Sequence, residues 1–318
     1  MSWLQAILLG LLQGLTEFLP VSSTAHMDVI PQLFGQPDPG AAFSAICQLG
    51  PIAAIIIYFR ADLMRYVQGI LRTKTPANLT REDVDARLGW YTLIASVPIA
   101  IAGIALEKYI DNHFRRLDVV AAALIVLALV LAWAERVGKR NVSLERMTFQ
   151  QAMGIGLAQI LGLVPGASRS GSTITAGLLQ GLDRESAARF SFLLSIPAIT
   201  GAGLYKLYKV VKAHELHGET AKYLLAALVA GLVAYAVVRW FMGYMKEHNT
   251  GIFIAYRILF GLTILVLFHS DKLIEHKTEE VKTSAPATHA TRLMPHDSSG
   301  KVAYAPIHLV PPHRVALP

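Results

Sequence analysis

Charge is scarce in this chain and cysteine almost absent. Of its 318 residues, 16% are Asp, Glu, Lys or Arg and 53% are hydrophobic, with a mean hydropathy of +0.45. Soluble domains carry about a quarter charged residues, so this shortage excludes an ordinary soluble protein. The single cysteine, Cys47, excludes an intramolecular disulfide framework and a cysteine zinc cluster. The opening MSWLQ has no Lys or Arg and its apolar run leads straight into Glu17, which excludes a cleavable signal peptide. No G-K-[ST] follows the glycines of GAS and SGS, so there is no Walker loop. The formal charge of +7 is spread over several segments. Anionic lipid headgroups, not nucleic acid, are therefore the expected partners of the basic residues.

What is present in quantity is long uncharged sequence. Runs at 40–59, 88–106, 119–134, 190–205, 223–238 and 258–270 contain no Asp, Glu, Lys or Arg. Each reaches the length of about 20 residues needed to cross a bilayer once snorkelling flanks are included. Six spans are predicted. Two further uncharged runs, 1–16 and 147–168, lead into Pro and Ser/Gly clusters in place of basic flanks and read as half-membrane elements that turn back. Lys and Arg concentrate in 60–87 (Arg60, Arg65, Arg72, Lys74, Arg81, Arg87) and 135–148 (Arg136, Lys139, Arg140, Arg146). By the positive-inside rule those loops are cytoplasmic, and both termini fall on the outer side.

Residues 10–26, GLLQGLTEFLPVSSTAH, carry an acid, a helix breaker, three hydroxyls and an imidazole inside apolar sequence. An acid in lipid is costly, so Glu17 is a functional candidate. Gln13 lies four residues earlier, on the same helix face. Glu17 is either satisfied by Gln13 and freed carbonyls, or a hydrated carboxylate that handles a proton or binds Mg²⁺ or Ca²⁺ together with Gln13. Pro20 breaks the helix before Ser22, Ser23 and Thr24. Ser is suited to cap the half-helix that follows. Ser23 and His26 stand three apart, a spacing that brings a hydroxyl nucleophile within reach of a base; the competing reading is plain capping, with His26 at the interface.

Sliding the chain by 146 residues superposes Gly10 on Gly156, Gln13 on Gln159, Ser22 on Ser168, Thr24 on Ser170, Gly35 on Gly181 and Pro51 on Pro197. A duplication follows, with repeat one at about 1–146 and repeat two at about 147–270. Each copy is one broken hairpin followed by three spans, and an odd number of spans inverts the second copy. Inverted repeats with broken helices place a site near the midplane, where half-helix N-termini face an anionic group. The fold class expected is thus an all-α polytopic membrane protein, an inverted-topology repeat of six transmembrane helices and two re-entrant hairpins.

The second copy differs in its chemistry. Arg169 takes the place of Ser23, within PGASRSGST at 165–173. Small residues admit a ligand close to the backbone, and a guanidinium matches phosphate in a fork. Ser168, Ser170, Gly171 and Thr173 are the accompanying phosphate-binding candidates, with Ser22 and Thr24 from the first copy. Arg257, inside the last span, is a second phosphate ligand, a snorkelling residue or a partner of an acid. From 271 to 318 six prolines and the loss of helical period predict a disordered tail.

Together, QGLTEFLPVSSTAH (Gln13 to His26) and PGASRSGST (Pro165 to Thr173), with QLGP at Gln48–Pro51 and FSFLLSIP at Phe190–Pro197, closely resemble the undecaprenyl-diphosphatase family of bacterial inner membranes, the bacitracin-resistance type. The resemblance covers about residues 1–270. It implies removal of the terminal phosphate from undecaprenyl diphosphate, which recycles the carrier lipid of peptidoglycan synthesis, at a site open to the periplasm. It also implies a divalent cation, Mg²⁺ or Ca²⁺. The family's (E/Q)-x-x-x-E motif falls on Gln13 and Glu17, its essential His on His26, its proposed nucleophile on Ser23 and its P-G-x-S-R-S-G motif on Pro165–Gly171. Some members have Glu where Gln13 stands, which weakens a two-carboxylate metal site here, and Ala25 stands where Gly is usual.

The mechanism expected is attack of Ser23 on the terminal phosphorus, helped by His26, with Arg169 on the phosphate and Glu17 holding the cation. His26 as nucleophile, or as base for direct water attack, is the rival within that class. The rival class is transport, an inverted-repeat carrier or flippase of an anionic isoprenyl lipid. A homodimer is left open.

Overall fold

The structure, a computed structural model, describes residues 1–36, 39–76, 83–213 and 218–269. The expected disordered tail lies outside the described residues. Among the described residues the regular structure is helical, with no strand. In chain order the helices are α1 (Trp3–Thr16), α2 (Ser23–Leu33), α3 (Gly40–Cys47), α4 (Leu49–Tyr58), α5 (Arg60–Thr73), α6 (Val84–His113), α7 (Leu117–Val137), α8 (Phe149–Ala158), α9 (Arg169–Leu179), α10 (Arg184–Lys212), α11 (Thr220–Glu247) and α12 (Gly251–His269). Six stretches are long and apolar enough to cross a membrane: Gly40–Tyr58, Val84–Ile110, Leu117–Val137, Arg184–Lys212, Thr220–Glu247 and Gly251–His269. They coincide with the six predicted spans. The helices α1, α2, α8 and α9, of 10 to 14 residues each, are too short to cross and form the two interrupted elements.

Local sequence explains where the interrupted elements start and stop. Ser2 caps α1 by accepting from Gln5 N–H, while the Gln5 side chain accepts from Ser2 N–H. Thr148 and Gln151 form the same reciprocal box at α8. Such a box satisfies orphan N–H groups at both helix starts, and Ser2 and Thr148 lie the same 146 residues apart as the motif pairs. The downstream halves share a form too: α2 and α9 each run 11 residues. The residues before them, Ser22 and Ser168, have φ of 74° and 65°. Pro51 acts by breaking: α3 ends at Cys47 and α4 begins at Leu49, leaving a proline without an N–H in the first turn of α4. Pro98 and Pro197 lie inside the helices α6 and α10.

Packing depends on small residues, as is usual where lipid offers no hydrophobic drive between helices. Ala226, Ala230 and Ala234 form a fully buried stripe at four-residue spacing on α11. Against it lie Gly10 and Gly14 of α1, where a methyl group would come within 2.5 Å and 2.6 Å of the carbonyl oxygens of Ala226 and Ala230. On the other side α4 approaches through Gly50, where a methyl would lie 1.9 Å from Ala227 O. The helix α11 thereby clamps α1 and α4, which carry Glu17 and Gln48 at their ends. A polar tie joins α7, α10 and the start of α12: Glu135 accepts from Arg184 Nη2 at 2.8 Å and Nε at 3.0 Å, and from Thr250 N and Oγ1 at 3.0 Å each.

Gly50→Ala is expected to destabilise the protein by about 1–3 kcal/mol, because backbone must move to admit the methyl. Gly243→Ala on α11, where nothing lies within 4 Å, should leave stability unchanged or raise it by up to about 1 kcal/mol. Thermal unfolding of both variants in detergent checks the contrast.

Candidate active site

The two breaks meet. The helix α1 ends as Glu17 closes its last turn, with Glu17 N–H donating to Gln13 O at 3.0 Å. The chain turns through Phe18–Val21 and re-enters as α2 at Ser23. The Glu17 carboxylate, whose side chain is 6% exposed, receives three donors. Arg169 Nη2 donates to Oε1 at 2.6 Å, Ser23 Oγ donates to Oε2 at 2.7 Å and Gln13 Nε2 donates to Oε2 at 2.9 Å. Gln13 Nε2 also donates to Gln48 Oε1 at 3.0 Å, so the α3–α4 junction props the cluster. Burying an acid in apolar surroundings is tolerable when it is paired and hydrogen-bonded in this way.

The second break holds the cation. Leu161–Val164 turns into Pro165–Ala167, and Gly166, at φ 88°, lies so near α7 that a methyl on it would come 2.3 Å from Val120 O. Ser168 caps α9 through its side chain, accepting from Gly171 N at 3.1 Å. Ser170 Oγ donates to Leu19 O at 3.0 Å, joining the second motif to the first break. Thr173 Oγ1 sits 2.6 Å from Ser191 Oγ and donates to Arg169 O at 2.9 Å. Arg257 of α12 lies fully buried beneath this loop and donates to the carbonyls of Ala167 at 2.9 Å and Gly166 at 3.3 Å. Its Nε and Nη1 have no hydrogen-bond partner among the described residues. A methyl at Gly171 would meet Nη1 at 2.7 Å, so a larger residue there would displace the guanidinium.

Of the residues expected from the sequence, Gln13, Glu17, Ser23, Arg169, Ser168, Ser170 and Gly171 are brought together. Two expectations change, those for the Ser23–His26 pair and for the Ser22 cap. Ser23 is not paired with His26: as the first residue of α2 it turns back to Glu17, while His26 Nδ1 meets Ser22 O at 2.7 Å and Nε2 meets the Tyr256 hydroxyl at 2.6 Å. Ser22 does not cap α2 with its side chain, and its buried Oγ has no partner among the described residues. Thr24 is exposed on the first turn. Arg257 neither snorkels nor meets an acid but holds backbone carbonyls. Gln48 and Tyr256 are the site residues that sequence reasoning passed over. Each is one polar group in an apolar run, and a polar residue beside an already suspected one, as Tyr256 is beside Arg257, was the available signal.

A second charged cavity, of about 640 Å³, lies among the ends of α5, α6, α10 and α11 and the 140–145 loop. Its charges are matched internally: Asp62 accepts from Arg189 at 2.6 Å and is also paired with Arg65, and Lys246 pairs with Glu185 at 3.3 Å. Burial, then the neighbouring Asp62, pushes the Tyr66 hydroxyl above its ordinary pKa. None of the residues of the two breaks lines this cavity, and its paired charges read as structural.

Ser168→Ala removes a cap and is expected to cost about 1 kcal/mol of stability. Ser22→Ala removes no cap bond and should cost less than half as much. Thermal unfolding of the two variants in detergent tests this difference between the breaks.

A family model described as bacitracin resistance protein BacA matches residues 6–263. The chain is similar to an undecaprenyl-diphosphatase of Renibacterium salmoninarum, 45% identical over 272 residues that cover 84% of this chain and 96% of the relative. It is also similar to undecaprenyl-diphosphatases of Myxococcus xanthus, 46% identical over 86% of this chain and 91% of the relative, and of Chloroherpeton thalassium, 44% identical over 86% and 99%. The same breaks, spans and motifs that build the Glu17 cluster fall inside the matched region, and the chain belongs to the BacA family of bacitracin resistance proteins.

Proposed function

We propose that this chain is an undecaprenyl-diphosphate phosphatase, an integral-membrane hydrolase that releases phosphate and returns undecaprenyl phosphate to peptidoglycan synthesis. Relatives of that activity at 44–46% identity support it. The observation that carries the mechanism is the Glu17 carboxylate, with the Ser23 hydroxyl 2.7 Å from one oxygen and the Arg169 guanidinium 2.6 Å from the other.

The reaction is phosphoryl transfer, which chiefly requires positioning and charge stabilisation. Ser23 Oγ attacks the terminal phosphorus and its proton passes to Glu17 Oε2. The bond from that phosphorus to the bridging oxygen breaks, and undecaprenyl phosphate leaves. Water then attacks the phosphoserine and frees inorganic phosphate and the serine. Arg169 offers one N–H to Glu17 and keeps others for the phosphate oxygens. Ser22 makes no side-chain cap, which leaves the first-turn N–H groups of α2 for an anion, facing those of α9 across the Ser170–Leu19 bond. Arg257 adds its unpartnered Nε–H and Nη1–H groups to the field beneath them.

The divalent cation implied by the resemblance does not fit a preformed site. The Glu17 carboxylate is already matched by a guanidinium, an amide and a hydroxyl, and Gln13 presents its nitrogen. Among the described residues no group of three or more His, Cys, Asp or Glu could hold a metal ion. Mg²⁺ or Ca²⁺ belongs to the proposal as a companion that the diphosphate brings.

The proposal also places the protein in the bacterial plasma membrane, with the two breaks opening to the periplasmic side and the Arg-rich 60–87 and 135–148 loops in the cytoplasm. It treats the two halves as inverted copies, supported by the capping boxes and the positive-φ serines that recur 146 residues apart.

Phosphate release from farnesyl or undecaprenyl diphosphate in detergent tests this reading. Ser23→Ala, Glu17→Gln and Arg169→Ala are each expected to lower kcat/KM by roughly 100-fold or more, and Arg169→Lys to recover little of it. Release that survives Glu17→Gln and Arg169→Ala would overturn the site.

A further inference from the structure

The position of Ser23 rests on the residue before it. Ser22 has φ 74°, a conformation unfavourable for a residue with a side chain, so the surroundings must hold it. In a regular helix start the N–H of His26 would hold the Ser22 carbonyl, but that bond is stretched to 3.4 Å. The imidazole takes over, with Nδ1 at 2.7 Å from the same oxygen.

The second break holds its serine carbonyl in a related way, with the backbone bond intact there: Ser172 N–H donates to Ser168 O at 2.9 Å. Ser168, at φ 65°, has its carbonyl held by the Ser172 hydroxyl at 2.9 Å, and Ser172 stands four residues on, as His26 does from Ser22. At both breaks the side chain of the fourth residue grips the carbonyl of the positive-φ serine. At the first that grip needs a proton on Nδ1, because a carbonyl oxygen only accepts. The neutral ring must then accept at Nε2, and the Tyr256 hydroxyl stands there at 2.6 Å. Phe260, stacked on the imidazole at 4.3 Å and 23°, and the Tyr256 ring, at 5.6 Å and 7°, fix the plane of the ring. His26 itself is 2% exposed, so water does not compete freely for either nitrogen.

We propose that Tyr256 is a positioning residue: the Ser22 carbonyl, an acceptor only, sets the Nδ1–H tautomer, and by donating to the bare Nε2 the Tyr256 hydroxyl holds the imidazole against that carbonyl, and through it the turn that presents the Ser23 hydroxyl to Glu17. His26 on this account works as the clamp of the turn, and α12 governs a nucleophile it does not touch. The tautomer assignment stands on geometry alone, while the consequence for turnover rests on Ser23 being the nucleophile.

The test is Tyr256→Phe, which keeps the ring and its stacking and removes the O–H. Nitrogen-15 spectra of histidine-labelled protein in detergent, with His26 identified by its absence from His26→Ser, report the tautomer without any turnover. The wild type should show Nδ1 protonated and Nε2 bare but hydrogen-bonded, and the variant the same tautomer with the Nε2 shift moved toward that of an unbonded nitrogen. In the same variant kcat should fall roughly five- to tenfold with KM within about twofold, as for loss of one hydrogen bond that orients a reacting group, and the pH profile should shift. His26→Ser, which restores the grip used at the second break, should retain at least about ten times the activity of His26→Ala. An Nε2–H tautomer in the wild type, or a Tyr256→Phe protein with unchanged Nε2 shift, kcat and pH profile, would overturn the proposal, as would equal activity of the two His26 variants. Absence of phosphate release by the wild type would instead count against the phosphatase reading, and the spectra would still decide the tautomer.

Discussion

An acid and a guanidinium from opposite halves of the chain neutralise each other in the interior of an apolar helical bundle. The Glu17–Arg169 pair, at 2.6 Å, is what the remaining structure makes tolerable. Either charge alone would be expensive in that setting, and breaking such a pair by removing one partner costs far more than the pair gains. Three donors on one carboxylate meet that cost with Gln13 from α1, Ser23 from α2 and Arg169 from α9. Each comes from a helix that stops or starts at the break. The helices are interrupted where they are so that these ends can converge.

Convergence has a backbone cost, visible in the two serines with positive φ. Strain of this kind persists where surrounding contacts over-determine the conformation, and both breaks have such contacts. The first is gripped by an imidazole stacked on Phe260 and hydrogen-bonded to Tyr256. The second is gripped by a hydroxyl and floored by Arg257, whose Nη2 donates to loop carbonyls. The two breaks are thus built alike in backbone and differ in the groups they present: an acid and a hydroxyl from one, a fixed cation from the other. Small residues then bring the supporting helices close enough to matter, and Gly50 against Ala227 is the tightest of those approaches.

The spans were legible because length and absence of charge are properties of composition, and they survived into the fold at the expected places. The breaks were legible because Pro20 and the Pro165–Gly166 pair punctuate apolar runs that ordinary packing would leave unbroken. Side-chain pairing was less so. The three-residue spacing of Ser23 and His26 assumes that both project from a continuous helix, but Ser23 is the first residue after a strained turn and faces backward to Glu17. Capping was legible for one serine and not for the other: Ser22 and Ser168 share a positive φ, and Ser168 alone of the two turns its hydroxyl to an N–H of the helix it precedes. For Arg257 the sequence offered a phosphate ligand, a snorkelling residue or a partner of an acid, and its bonds to the Gly166 and Ala167 carbonyls were not legible, since burial against carbonyls has no signature in spacing. Gln48 and Tyr256 left a weaker trace still, because one polar group in a span is common and its partner lies far along the chain.

The account makes the Ser23 hydroxyl, set against Glu17 by the first break, the atom that takes the phosphoryl group. Rapid quenching of the enzyme with a terminally labelled isoprenyl diphosphate, followed by mapping of the labelled peptide, addresses that directly. Label as phosphoserine at Ser23, absent from Ser23→Ala, is the predicted result. Label on His26 in the wild type, or full turnover by Ser23→Ala, would contradict the account.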